Sequence, residues 1–314
     1  MNFFKSSFRR QRSLFTLKVL LAIALASIII FSLFHTIVQD SFRENVSGVE
    51  NYYVEKVLKE YESKGLKGFS YGVCGYSVNS KPIYYYMIGC GEERVMVIGG
   101  LHGDEPKGVY ACLELIEALS KDNLTEKYTF IVVPLCNPDG AQEFERRNSN
   151  NVDLNRDFYT LSQPETSAIV NLFNRHNPIL LVDVHESFGS APLIIYANNS
   201  KSLELAIFVY RERGFPAALA ADVGQSANYA GKKDIFGLIL EIPGLSLNYD
   251  NGTRLLLSIL KSFENFQKQV KKTLTPCCST VFKGNGTFKP YRTLNLDFCQ
   301  MRKGFRQVFS RSIE

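Results

Sequence analysis

The sequence predicts an α/β protein, a mixed twisted sheet with helices on both faces, preceded by one transmembrane helix. Three observations predict it. Apolar runs of strand length alternate with amphipathic runs of helix length, the pattern of a sheet covered by helices. Several of the strand runs are apolar throughout, as strands buried on both sides must be. Finally, "VLLAIALASIIIFSLFHTIV" (residues 19–38) contains no Asp, Glu, Lys or Arg. At helical rise it spans about 30 Å, one hydrocarbon core.

The elements follow in chain order. Lys5, Arg9, Arg10, Arg12 and Lys18 precede or abut the apolar run, and no acidic residue occurs before Asp40. The positive-inside rule therefore places residues 1–18 in the cytoplasm and the chain beyond the span outside. A signal-peptide cleavage site belongs just after the apolar run. Ala24 and Ala26 lie inside it, and no small-x-small site follows. An uncleaved anchor at 19–38 is expected, which makes a single-pass cell-membrane protein with an extracytoplasmic domain. Residues 39–50 read as a polar linker. "VENYYVEKVLKEYES" (49–63) has helical spacing.

"GVCGYSVNSKPIYYYMIG" alternates as two strands around an Asn-Ser-Lys-Pro turn. "RVMVIGG" is a buried strand, and Lys107 to Leu119 a helix with Pro106 in its first turn. "YTFIVVPL" is a strand stopped by the turn "NPDG". "QPETSAIVNLFNRH" is a helix, "PILLVDVHES" and "LIIYA" are strands, and "SLELAIFVYRER" is a helix. "FGLILEIPG" is a buried strand ended by Pro243 and Gly244, and Asp250 to Lys271 is a long amphipathic helix. The period fades from Thr275 onward, leaving residues 51–275 as one domain and 276–314 as a basic, cysteine-containing tail.

Composition narrows the function. Five of the 36 basic residues precede Asp40, so the rest of the chain balances the 31 acidic ones. That argues against a nucleic-acid partner, which needs a basic folded surface. Sequons at Asn45, Asn123, Asn198, Asn251 and Asn285 fit an exported glycoprotein. Of the seven cysteines, Cys112 and Cys136 sit in apolar patterns and read as buried. Cys277, Cys278 and Cys299 cluster in the tail, where a disulfide fits better.

Four strand ends carry polar groups: His102 with Glu105, the Asn137 turn with "ERRNSNNVDLNRDF", His185, and Glu241. In open α/β sheets, sites gather just beyond the strand ends. Two imidazoles and one carboxylate are the protein donors of a catalytic zinc, with water in the fourth position. His102, Glu105 and His185 supply that set. Glu241, at the end of an apolar strand, fits a base that takes a proton from water.

The order of these groups resembles the carboxypeptidase A-like zinc metallopeptidases, or funnelins, over about residues 68–270. "GYSVNSKPI" is similar to the family's entry strand, "GGLHGDEP" to its first zinc motif, and "NPDG" with "RRNSNNVDLNRDF" to its arginine and Asn-Arg block. "QPET", "DVHES" and "LEIPG" resemble the following helix, the third-ligand strand and the strand of the catalytic glutamate. The resemblance implies one zinc ion on His102, Glu105 and His185, with Glu241 as general base. It implies that Arg146 polarises the scissile carbonyl, with Arg147 one residue out of step. Asn155 and Arg156 would bind the substrate's terminal carboxylate, and Asp153 would orient a zinc histidine. Tyr229 stands in the region of the family's substrate-capping tyrosine.

"GGLHGDEP" is closest to a compact branch near murein-peptide amidases and the aspartoacylase and succinylglutamate desuccinylase deacylases. The expectation is a membrane-anchored zinc metallocarboxypeptidase acting on cell-wall or surface peptides. An N-acyl amino acid deacylase and a non-catalytic surface binding module are the alternatives.

Overall fold

Every residue of Tyr128–Val133 (β4) is buried, so this strand must run through the middle of a sheet rather than along its edge. In the computed structural model, which describes residues 18–34, 69–244 and 250–274, eight strands form one sheet. The others are Phe69–Tyr76 (β1), Pro82–Ile88 (β2), Glu93–Gly99 (β3), Leu180–Ser187 (β5), Leu193–Tyr196 (β6), Ala217–Leu219 (β7) and Phe236–Pro243 (β8). Their order is β1-β2-β4-β3-β5-β8-β6-β7. The central β4, β3, β5 and β8 are mutually parallel. β2 and β6 join antiparallel on either side, so the sheet is mixed.

The helices are 18–34 (α1), Pro106–Leu119 (α2), Leu124–Lys127 (α3), Pro138–Glu143 (α4), Pro164–His176 (α5), Ser200–Arg213 (α6), Ser226–Lys232 (α7) and Asp250–Leu274 (α8). Local chemistry sets their ends. Prolines begin α2, α4 and α5, where the missing N–H costs nothing. Asn137 and Asn199 cap α4 and α6 by accepting from Gly140 N–H and Ser202 N–H. Gly214 ends α6 in the left-handed region.

Alternation along the strands builds two cores. Val95, Val97, Phe130, Val132, Leu180, Val182, Val184, Leu238 and Leu240 pack with α2, α6 and α8 on one face. Met96, Ile98, Ile131, Val133 and Leu181 pack with α5 and Ala230 of α7 on the other. Continuing the same alternation, Asp183 and His185 belong to the α5/α7 face, and Glu186 to the α2 face.

The expected strands and long helices within the described residues are present. The short β7, α3, α4 and α7 were not foreseen; each is too brief to leave a period in the sequence. The helix expected at 49–63, the linker, residues 1–17 and 35–38, the tail cysteines and Asn45 and Asn285 lie outside the described residues. α1 is apolar and exposed along 18–34. Among the described residues no helix is long and apolar enough to cross a membrane. Cys112 and Cys136 are fully buried free thiols. The chain divides into two units, Met1–Val270 and Lys271–Glu314. The second is described only over 271–274, the last turn of α8.

Candidate metal centre

The centre begins where β3 stops. Gly100 follows with φ +62°, a left-handed turn that only glycine makes without strain. It carries the chain to His102 and, by a turn closed from Glu105 N–H to His102 O at 3.4 Å, to Glu105. Glu105 occupies the N-cap of α2 yet makes no side-chain cap. Its carboxylate is turned instead toward the two histidines. Glu105 Oε1 lies 2.6 Å from His102 Nδ1, and Oε2 lies 2.7 Å from His185 Nδ1. The two Nδ1 atoms are 3.0 Å apart.

The outer ring nitrogens explain this arrangement. His102 Nε2 meets Asp153 Oδ1 at 3.0 Å. His185 Nε2 meets Asp183 Oδ2 at 2.9 Å, with Asn155 Nδ2 at 3.1 Å. A carboxylate accepts only, so with an ion on the Nδ1 atoms the ring protons stay on Nε2, held by Asp153 and Asp183. The two Nδ1 atoms and the Glu105 carboxylate converge on one spot, where they hold a cation: a metal ion, or the ring protons themselves when none is bound. The surroundings agree, since Asp153, Asp183 and Glu241 gather with Glu105 around the centre, and Arg146 pairs with Glu105 and Asp153. One donor atom from each of His102, Glu105 and His185 lies within 4.8 Å of the others, and the His₂Glu set matches catalytic zinc.

The ionisation of these groups follows from the same contacts. Burial works against charge on Glu105, but His185 and His102 outweigh it and hold the carboxyl well below its usual range. Burial disfavours the His185 imidazolium; Asp183 and Glu105 overcome that and raise it well above its ordinary value. Both effects describe a cavity that attracts positive charge.

Glu241 stands opposite His185 in the β5/β8 register. It is half-buried, and its carboxylate makes no hydrogen bond with the other described residues. Burial pushes its carboxyl up; His185 opposes this, and Glu105 and Asp183 add to it. Arg146 donates to Glu105 Oε1 (3.1 Å) and Asp153 Oδ2 (3.2 Å), with 42% of its side chain exposed. Arg147 points away to Asn151 O, which resolves the one-residue ambiguity in favour of Arg146.

One expected role is corrected. Tyr229 does not line the centre: its ring packs on Phe158 and Phe173, and its hydroxyl donates to Asn174. Asn155 is buried, with Oδ1 accepting from Ser226 N–H and Nδ2 against His185. It joins the ligand strand to α7. Arg156 is at the surface, 3.3 Å from Asp222 with 43% of its side chain exposed. Asp183 was missed. It is completely buried and also accepts from Ser226 Oγ. The signal was in the sequence, because a residue two before His185 on a strand shares its face.

A sheet whose carboxyl edge gathers two imidazoles and two carboxylates has the donor set of a zinc centre. Residues 54–253 match the zinc carboxypeptidase family, peptidase M14, and the chain belongs to that family. Among relatives, it is 39% identical over 114 residues to carboxypeptidase 2 of Trichophyton tonsurans, covering 33% of this chain and 21% of that one. It is 34% identical over 141 residues to carboxypeptidase SOL1 of Arabidopsis thaliana, covering 37% and 29%. The matched segments thus span between a fifth and a third of those proteins. A metallo-carboxypeptidase from Burkholderia cenocepacia has the same fold, with TM-score 0.61, 16% identity and coverage of 70% and 68%.

Proposed function

We propose that the chain is a membrane-anchored zinc metallocarboxypeptidase that hydrolyses an amide bond next to a free carboxylate, in cell-wall or surface peptides. The observation that carries the reading is the convergence of His102 Nδ1, His185 Nδ1 and Glu105 on one spot, with Glu241 paired across the sheet to His185. His102, Glu105 and His185 would hold the ion. Zinc bound there supplies Lewis acidity and lowers the pKa of a water to about 7.

The chain's own groups do the rest. Glu241, raised above its ordinary value by burial, accepts a proton from the attacking water and returns it to the leaving amine. Arg146, exposed beside Glu105, can turn its guanidinium to the carbonyl oxygen as negative charge develops there. Arg156 offers the fork that suits a terminal carboxylate, which would displace the surface carboxylate of Asp222. The cell-wall or surface substrate rests on the expected anchor at 19–38.

Glu241→Gln tests the chemistry. Zinc content should stay at one per chain while turnover falls by about 10²–10⁴; undiminished turnover would remove Glu241 from the role. Defined peptides and N-acyl amino acids should be assayed in parallel, and turnover of the latter alone would replace the peptidase by a deacylase.

A further inference from the structure

Lys107 is only 6% exposed and sits at the second residue of α2. A cation there is out of water and at the positive end of a helix, both unfavourable. Its ammonium donates to the carbonyls of Pro243 (3.0 Å) and Gly244 (2.5 Å) and lies 3.4 Å from Glu186 Oε1. Its backbone N–H donates to Glu186 Oε2 at 3.2 Å. Glu186 in turn gives its own N–H to Glu105 Oε2 at 3.1 Å, and Gly244 N–H donates to Ser187 O at 2.6 Å. One buried ion pair thus joins the start of α2, just past Glu105, to the end of β5, just past His185. It also joins both to the end of β8, two residues past Glu241.

The clamp's side chains lie on the α2 face of the sheet, and it touches the centre through the Glu186 N–H on Glu105 Oε2. Along β5, Asp183 and His185 share the α5/α7 face, and Glu186 alternates to the α2 face with Val182 and Val184. Lys107 therefore acts on the centre through Glu186 and the ends of β5 and β8. It fixes, from behind, the spacing of the three strand and helix ends that carry the working groups.

We infer that Lys107 is a positioning residue that sets the distance between Glu241 and the metal donors. The inference rests on the reading of Glu241 as proton acceptor, because a displaced end of β8 harms turnover only if Glu241 acts in it. Small displacements of reacting groups lower rates by about 10²-fold, so kcat should fall about 10–100-fold in Lys107→Ala. KM should stay within about twofold, since substrate is held by other groups.

The test uses the full chain loaded with zinc, and compares Lys107→Ala, the doubly neutral Lys107→Met/Glu186→Gln, and Glu241→Gln. Zinc content, kcat, KM and amide hydrogen exchange over 180–187 and 236–244 are measured, with and without n-butylammonium. The expected result for Lys107→Ala is one zinc per chain, a lower kcat, an unchanged KM and faster exchange at both strand ends. n-Butylammonium, filling the vacated channel, should restore kcat and exchange saturably, and tetramethylammonium should not. Wild-type kcat and wild-type exchange in Lys107→Ala would overturn the inference. If that variant does not fold, the neutral pair decides: lower kcat with zinc retained supports the clamp, and wild-type kcat overturns it. Full turnover in Glu241→Gln would defeat the functional reading instead, and exchange at the strand ends would then report on the clamp alone.

Discussion

Asp183 is buried between His185 Nε2 and Ser226 Oγ, and its position decides which nitrogen of His185 faces the ion. Orienting carboxylates of this kind are commonly worth 10–100-fold in metal affinity. Asp183→Asn should weaken zinc binding by about that factor, measured by competition with a chelator of known affinity; an unchanged dissociation constant would show that the strand alone orients the ring. Asp157 makes the contrasting case of a buried acid that serves the fold. It accepts from Thr160 Oγ1, Thr166 Oγ1, Ser162 N–H and Oγ, and Gln163 N–H. Burial pushes its carboxyl up, but these bonds outweigh burial and hold it below 3.8. A depressed carboxyl adds stability above its unfolded pKa of about 3.9, and that stability is lost as pH falls through the folded value. Asp157→Asn should cost about 2–3 kcal/mol near neutrality. The gap in urea midpoint between wild type and variant should close below about pH 4, and a gap constant from pH 7 to pH 3 would contradict the assignment.

At the scale of elements, the helix that follows the first metal motif is held close to the sheet by one glycine. A Cβ on Gly108 would stand 2.5 Å from Val184 O, so Gly108→Ala must push α2 away from β5. Overpacking of this kind costs about 1–3 kcal/mol. Thermal unfolding should show a Tm several degrees lower, and an unchanged Tm would mean that α2 has more slack than the contact allows. The central strands and the helices opened by Pro106 and Pro164 were legible because burial and proline leave local signatures. So were His102, Glu105, His185 and Glu241, because each lies at or just beyond the end of an apolar strand. Tyr229 was misplaced because α7 is one short helix, and nothing local says which way its aromatic ring turns. The bonds of Asn155 to Ser226 and His185 were not legible, because those partners are distant in sequence. Lys107 reads as an ordinary surface lysine until β8 is folded over it.

For the whole molecule, an anchor at 19–38 would give the domain its location. The chain should remain with membranes after an alkaline carbonate wash and leave them only in detergent, and release by carbonate would refute a spanning helix. The segments that border the centre belong to a different part of the design. Phe188, 98% exposed, follows the third ligand by three residues, and Leu219, the last residue of β7, and Val223 beyond it are exposed. Loops at strand ends tolerate change that the strands do not. Because the sheet keeps its reactive groups on one face and its fastening on the other, the border loops are exchangeable parts. A library randomising 188–191 and 219–223 should therefore return variants with new cleavage preferences and undiminished zinc content, so the fold can act as a chassis for retargeting.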